Sequence, residues 1–150
     1  MKNIFEAAVS AEVIDRINQL NPESSALWGK MNVAQMLAHC NVTYEMVYTD
    51  KHSKPNGFTT FMLKMFVKKI VTNDKLYTKN GRTAPAFLIV DEREFNTEKK
   101  QLVDYIKKTQ ELGEAHFDNK TSHSFGKLSK AEWNNMFFKH LDHHLGQFGV

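Results

Sequence analysis

Ser129-Lys130-Ala131-Glu132-Trp133-Asn134-Asn135-Met136-Phe137-Phe138-Lys139-His140-Leu141-Asp142-His143-His144-Leu145-Gly146-Gln147 is the stretch from which the fold is read most directly. It opens on Ser-x-x-Glu, a capping box in which hydroxyl and carboxylate satisfy orphan N–H groups at a helix start. Apolar residues then recur at helical spacing. At ~100° per residue, Trp133, Met136, Phe137, Leu141 and Phe148 fall on one face, with His140 and His144 at its centre, one turn apart. A buried imidazole is unfavourable unless it finds a partner. Side chains at i and i+4 project side by side, so a shared metal ion would satisfy both rings. The alternative is a pair of core histidines held by hydrogen bonds. Asp142 is expected to look outward, and His143 lies toward the edge of the stripe, either behind the metal site or at the surface. The His-Glu-x-x-His helix of metalloproteases needs a glutamate after its first histidine, and Leu141 stands there instead.

Four further segments upstream read as helices. Residues 4–20 place Phe5, Ala8, Val13, Ile14 and Ile17 near helical spacing and stop before Asn21-Pro22. Asn32 with Gln35 forms a second capping box, opening a helix to Tyr48 that is apolar nearly all round and so suits a central, buried position. Residues 58–71 carry Phe58, Phe61, Met62, Met65 and Phe66 on one side and Lys64 and Lys68 on another. That pattern also suits a membrane surface, but an ordinary bundle helix is the expected reading. Residues 96–112 form a helix capped by Asn96 or Thr97 and stopped by Gly113. Between the last two, residues 72–93 read as an irregular connection, with Asn80-Gly81, Pro85 and a short extended piece from Ala86 to Val90. Short connections between amphipathic helices predict an all-α, antiparallel helical bundle, one domain spanning residues 1–150.

Composition sets the boundaries. With 41% hydrophobic and 25% charged residues the chain has globular material, too apolar for a disordered one. A net charge of +3 without a basic stripe interleaved with aromatics argues against nucleic-acid binding. The N-terminus lacks a signal-peptide pattern, and no run reaches the ~20 apolar residues of a membrane span. Cytoplasm, with no membrane partner, is the expected setting. The glycosylation sequons at Asn41 and Asn119 then read as chance matches. Cys40, the single cysteine, is rotated ~100° from His39 and reads as core filler rather than ligand. Among the remaining histidines (His39, His52, His116 and His123), only His39 falls within a buried helix, toward one edge of its apolar side.

Two stretches carry a family resemblance. Trp28-Gly29-Lys30-Met31-Asn32-Val33-Ala34-Gln35-Met36-Leu37-Ala38-His39 resembles the first signature of the DinB-like (DinB/YfiT) superfamily, and His140-Leu141-Asp142-His143-His144-Leu145-Gly146-Gln147 resembles its closing signature. Ser122-His123-Ser124-Phe125-Gly126-Lys127-Leu128-Ser129, with Trp133 and Gln147-Phe148-Gly149, is similar to an uncharacterised branch of that superfamily. Ser124 stands where that branch often has proline, which bears on the rigidity of the loop. The resemblance covers Trp28 to Gly149. It implies a four-helix, up-down-down-up bundle holding a divalent metal at one end through His39, His140 and His144.

Better-understood members of that superfamily are thiol-dependent transferases and isomerases, so the resemblance implies a small-molecule substrate and a low-molecular-weight thiol as cosubstrate. Zinc or nickel is the expected ion, with iron or copper as alternatives. Tyr44, His123, His143 and Gln147 are candidates for pocket or supporting roles. For Tyr44 the alternative is a core position, and for His123 a role in ordering its own loop. Lys30, Lys127 and Lys139 are candidate cations at the mouth. The competing reading is a non-catalytic metal-binding module, stress-related or sensing, and a third is a metal-free bundle acting through protein contacts. A homodimer is the fold-level expectation.

Overall fold

A computed structural model describes residues 1–150. Helix accounts for 59% of the chain, so the all-α expectation holds. The elements are α1 (Ala7–Gln19), α2 (Val33–Tyr48), α3 (Gly57–Phe66), α4 (Lys68–Thr72), a 3-10 turn (Pro85–Phe87), α5 (Phe95–Phe117), β1 (Lys120–Ser122), β2 (Gly126–Leu128) and α6 (Lys130–Gln147). No helix is long and apolar enough to cross a membrane.

Local chemistry explains most boundaries. Both capping boxes form: Asn32 with Gln35 at α2, and Ser129 with Glu132 at α6. α5 differs from expectation, because neither Asn96 nor Thr97 caps it. The Glu94 carboxylate does so, accepting from the N–H groups of both. Its negative charge also suits the positive end of the helix dipole. Gly113 breaks α5 with φ 71 and ψ 166, and a last turn runs on to Phe117. The segment read as one helix over 58–71 is divided at Val67 into α3 and α4. The short extended piece expected at Ala86–Val90 is a 3-10 turn instead, set by Pro85. The one hairpin lies at β1–β2, where Lys120 pairs with Leu128 and Ser122 with Gly126.

α1, α2, α5 and α6 share one core. Val13 and Ile17 meet Met36, Leu37 and Tyr44, Leu102 and Ile106, and Trp133, Phe137 and Leu141. Polar ties between helices fix their relative directions. The Asn134 side chain accepts from Ile4 N–H and Arg16 pairs with Asp142 at 2.8 Å, so α1 and α6 run in the same sense. Asn41 donates to Glu98, and Tyr48 bonds Thr109 at 2.7 Å, so α2 and α5 are also parallel. α2 and α6 are antiparallel, because Thr43 meets His140 while His39 packs on His144. Two parallel neighbours need a long crossover, and residues 49–94 supply it, carrying α3, α4 and the 3-10 turn outside the core. Asn41 is 1% exposed and bonded to Glu98, which closes that sequon to a glycan. Asp142, expected to face solvent, is half-buried against α1 through Arg16.

Candidate metal centre

His39 on α2 and His140 and His144 on α6 converge near the N-terminal half of α2 and the C-terminal half of α6. Their ring centroids lie 4.4 Å (39–144), 4.8 Å (140–144) and 4.9 Å (39–140) apart. One donor nitrogen from each falls within 4.8 Å of the others. His39 and His144 are buried, and His140 is partly buried.

Each ring is anchored through Nδ1. His39 Nδ1 lies 2.8 Å from the Phe87 carbonyl, which can only accept, so Nδ1 carries the proton and Nε2 the lone pair. His144 Nδ1 lies 2.9 Å from Gln147 Oε1. The orientation of that amide is set independently: Gln147 Nε2–H donates to the Trp28 carbonyl at 2.6 Å, leaving Oε1 to face the ring. His144 therefore also directs an unprotonated Nε2 away from its anchor. His140 Nδ1 sits 3.0 Å from Thr43 Oγ1, and its Nε2 is 2.9 Å from His39 Nε2. Since His39 Nε2 is an acceptor, His140 Nε2–H donates to it, and the threonine hydroxyl donates to Nδ1. A hydroxyl both gives and receives, so Thr43 can serve either tautomer of His140.

Electrostatics keep the rings neutral. Burial lowers the pKa of His39, pushes that of His144 down to about 3, and holds His140 well below the ordinary range, with the neighbouring rings adding to the effect. His143 is lowered too, first by burial, between Trp28 (5.9 Å) and Tyr77 (5.7 Å) and 5.0 Å from His144.

The donor set fits a divalent cation: three neutral imidazoles, each with its second nitrogen held by a neighbour, as metal-ligating histidines are. Metal–nitrogen bonds of ~2.1 Å place tetrahedral ligand atoms about 3.4 Å apart, so modest ring rotations close the set. Phe87, whose ring lies 5.4 Å from His39 and 5.8 Å from His140, covers the cluster from the crossover. Two surface depressions lie elsewhere, along Thr97–Tyr105 of α5 and beside Pro22, Asn32 and Arg93–Asn96; neither includes a histidine of the cluster.

A family model described as a protein of unknown function (DUF1569) matches residues 5–149. The chain belongs to this family. No curated protein and no solved structure matches it. The match takes in all three clustered histidines of this DUF1569 chain.

The remaining sequence candidates are dispersed. Tyr44 is enclosed in the core of this DUF1569 protein, stacked between Phe137 (5.0 Å) and Tyr105 (5.8 Å), and its hydroxyl has no partner. Burial drives its pKa well up, so it offers no accessible proton. His123 sits on the β1–β2 turn beside the start of α6, at the opposite end from the cluster. Its Nε2–H donates to the His52 carbonyl at 3.1 Å, and its Nδ1 accepts from Ser124 at 2.9 Å, so it orders that loop rather than overhanging the metal centre.

Lys127 lies on the same hairpin, also remote from the cluster. Lys139 is 0% exposed, with its ammonium on the Ile70 carbonyl (2.8 Å) and on both oxygens of Asn73 (2.8 and 3.0 Å). It caps the C-terminus of α4 and pins it to α6, and burial pushes its pKa down to about 8. Lys30 remains exposed, beside Gly29. Cys40 is buried, its thiol 3.8 Å from the Met36 sulfur and its pKa raised by burial, so it is core.

Gln147 stands in the closing signature and is among the sequence candidates, whereas Thr43 and Phe87 carry no signature of their own. Thr43 is i+4 from His39 and Gln147 is i+3 from His144, so each shares a helix face with the ring concerned. Phe87 comes from a distant loop, and nothing local points to it.

Proposed function

We propose that this protein is a metal-dependent enzyme in which His39, His140 and His144 hold a divalent cation, and that its chemistry is a thiol-dependent transfer. The observation that carries the reading is the convergence of three neutral imidazoles, each with Nδ1 engaged by Phe87, Thr43 or Gln147. Three protein ligands leave positions free, which is the pattern of catalytic rather than structural sites. The chemistry such a cation supplies is acidification of a bound thiol or water near neutral pH. An all-imidazole set suits zinc, nickel, iron and copper alike, and zinc or nickel is the ion proposed. Residues of the chain hold the rings in place, and Phe87 limits water at His39 and His140.

The parallel sense of α1 with α6 and of α2 with α5, with α2 antiparallel to α6, supports an up-down-down-up four-helix arrangement. That topology and the two histidine signatures together support placing the chain near the DinB-like superfamily. A second reading, a non-catalytic metal-binding module, is favoured by the Phe87 cover over His39 and His140.

Elemental analysis of the purified protein tests the metal, alongside His140→Ala and His144→Ala. About one metal per chain, lost in both variants, is the expected result. No metal after refilling with zinc or nickel would make these hydrogen-bonded core histidines. Turnover of an electrophile with a small thiol by the loaded protein, absent in both variants, separates enzyme from module.

A further inference from the structure

The crossover leaves one helical face without a partner. α3 buries none of its residues, although sequence periodicity alone predicts an ordinary bundle helix. Phe58 is 75% exposed, Phe61, Met65, Phe66 and Ile70 are each more than half exposed, and Met62 is 38% exposed. At ~100° per residue the five on α3 occupy an arc of about 140°, a continuous apolar stripe, and Ile70 extends it onto α4. At roughly 200 Å² for a large side chain, the six present about 700 Å² of apolar surface, beyond what a typical monomer leaves open without a use.

Charge says what covers it. Residues 51–82 hold eight of the chain's 20 lysines and arginines and one of its 17 acidic residues, Asp74. This segment thus carries +7 and the rest of the chain −4, within a total of +3. Lys54, Lys64, Lys69, Lys75, Lys79 and Arg82 are exposed, and no acidic side chain occurs between Lys51 and Asp74. Lys51 and Lys68 pair with Glu45 and Glu132, and the remaining cations would still set like charge against like if a second copy docked through the same face. Phenylalanine and methionine rimmed by lysine is instead the composition of a helix that lies in the interface of an anionic bilayer.

We propose that α3 and α4 form a docking surface for an anionic phospholipid membrane, with Phe58, Phe61, Met65 and Phe66 entering the headgroup boundary and the surrounding lysines meeting lipid phosphates and carboxylates. The contact is peripheral, because no helix is long and apolar enough to cross a membrane. Lys139 and Asn73 hold the α4 end of this face to α6, so the stripe is presented on a fixed support rather than on a loose loop.

The test is flotation of the intact protein with two vesicle types: phosphatidylcholine alone, and phosphatidylcholine with about one third phosphatidylserine. Binding to the anionic vesicles is expected to exceed that to neutral ones at least about ten-fold, and to fall about ten-fold when salt rises from roughly 0.1 to 0.5 M. Phe58→Ser/Phe61→Ser and Lys54→Glu/Lys69→Glu change exposed positions only. Each is expected to lose binding about ten-fold or more while keeping the helical circular dichroism of the parent. Equal or absent binding to both vesicle types by the unmodified protein overturns the proposal. So does an unmodified protein that is dimeric in solution and becomes monomeric in Phe58→Ser/Phe61→Ser, which would assign the face to a second copy.

Discussion

Acidifying the metal-free protein should unfold it in a pH window that the three clustered histidines set. In the native state burial holds His39, His140 and His144 neutral, all with pKa values below the ordinary one. In the unfolded chain each titrates near 6.5. The unfolded state therefore binds protons first as pH falls, and the stability present above about pH 6.5 is progressively lost below it. For a ring that stays neutral when folded, the loss between about pH 7 and pH 5 is at most ~2 kcal/mol, so the three together set a ceiling of ~6 kcal/mol. That rivals the whole stability of many domains, typically ~5–15 kcal/mol.

Carboxylates do not confuse the window. Glu45 and Glu132 have lowered pKa values through hydrogen bonds from Lys51 and Lys68 acting against burial, so their contribution is lost only below their ordinary range near 4.5. The assay is urea unfolding of chelator-treated protein, followed by tryptophan fluorescence, at steps from about pH 7 to pH 5. With a slope of ~2 kcal/mol per molar urea, the midpoint should fall by up to about 3 M. His144→Gln should remove up to about 2 kcal/mol of the pH dependence. A midpoint that stays within about 0.5 M over that range would refute the reasoning, because the native rings would then already be protonated or water-exposed.

Four further outcomes are expected. Gly29→Ala forces a side chain onto φ +85 with its Cβ 2.5 Å from Gln147 Nε2, displacing the amide that orients His144; metal affinity, read by competition with a chromogenic chelator, should fall about 10–100-fold. Tyr44→Phe removes a buried hydroxyl that has no partner; it should leave metal content unchanged and unfolding free energy the same or about 1 kcal/mol higher, and a loss of activity would restore Tyr44 as a catalytic candidate. Lys139→Met strips three oxygens of their donor; a loss of about 3 kcal/mol in urea unfolding and faster proteolysis around α4 are expected. Ser129→Ala should cost about 1 kcal/mol through loss of the α6 cap, measured the same way.

What was legible in the sequence was local. A capping box is complete within four residues, so the starts of α2 and α6 could be placed from Asn32-x-x-Gln35 and Ser129-x-x-Glu132 alone. The 3.6-residue period was enough to put His140 and His144 on one face; His39 needed the family resemblance, since periodicity left it at an edge. Glu94 was missed because the usual N-cap side chains are the short ones of serine, threonine, aspartate and asparagine, and the longer glutamate lies outside that pattern. Phe87 could not be found at all, since its contact with His39 spans 48 residues of irregular chain. Tyr44 and His123 fall on their alternative readings, a core position and a loop-ordering role, for different reasons. Tyr44 is one helical step beyond Thr43, and that rotation is the difference between the cluster and the core. His123 precedes α6, whereas the cluster lies in its second half, so nearness in sequence meant distance in space. The apolar face of α3 was read correctly as a face, but periodicity does not say whether another element will cover it.

The contact between His39 and His140 joins residues 101 apart in sequence. Closing a loop of that length is entropically expensive for an unfolded chain, and a cross-link across it is worth ~4–5 kcal/mol in the chain-entropy treatment of disulfides. A cation binding both helices would act as a removable staple of that kind, tying the end of the chain to its first third. Metal supply would then set how firmly α6 stays locked onto α2.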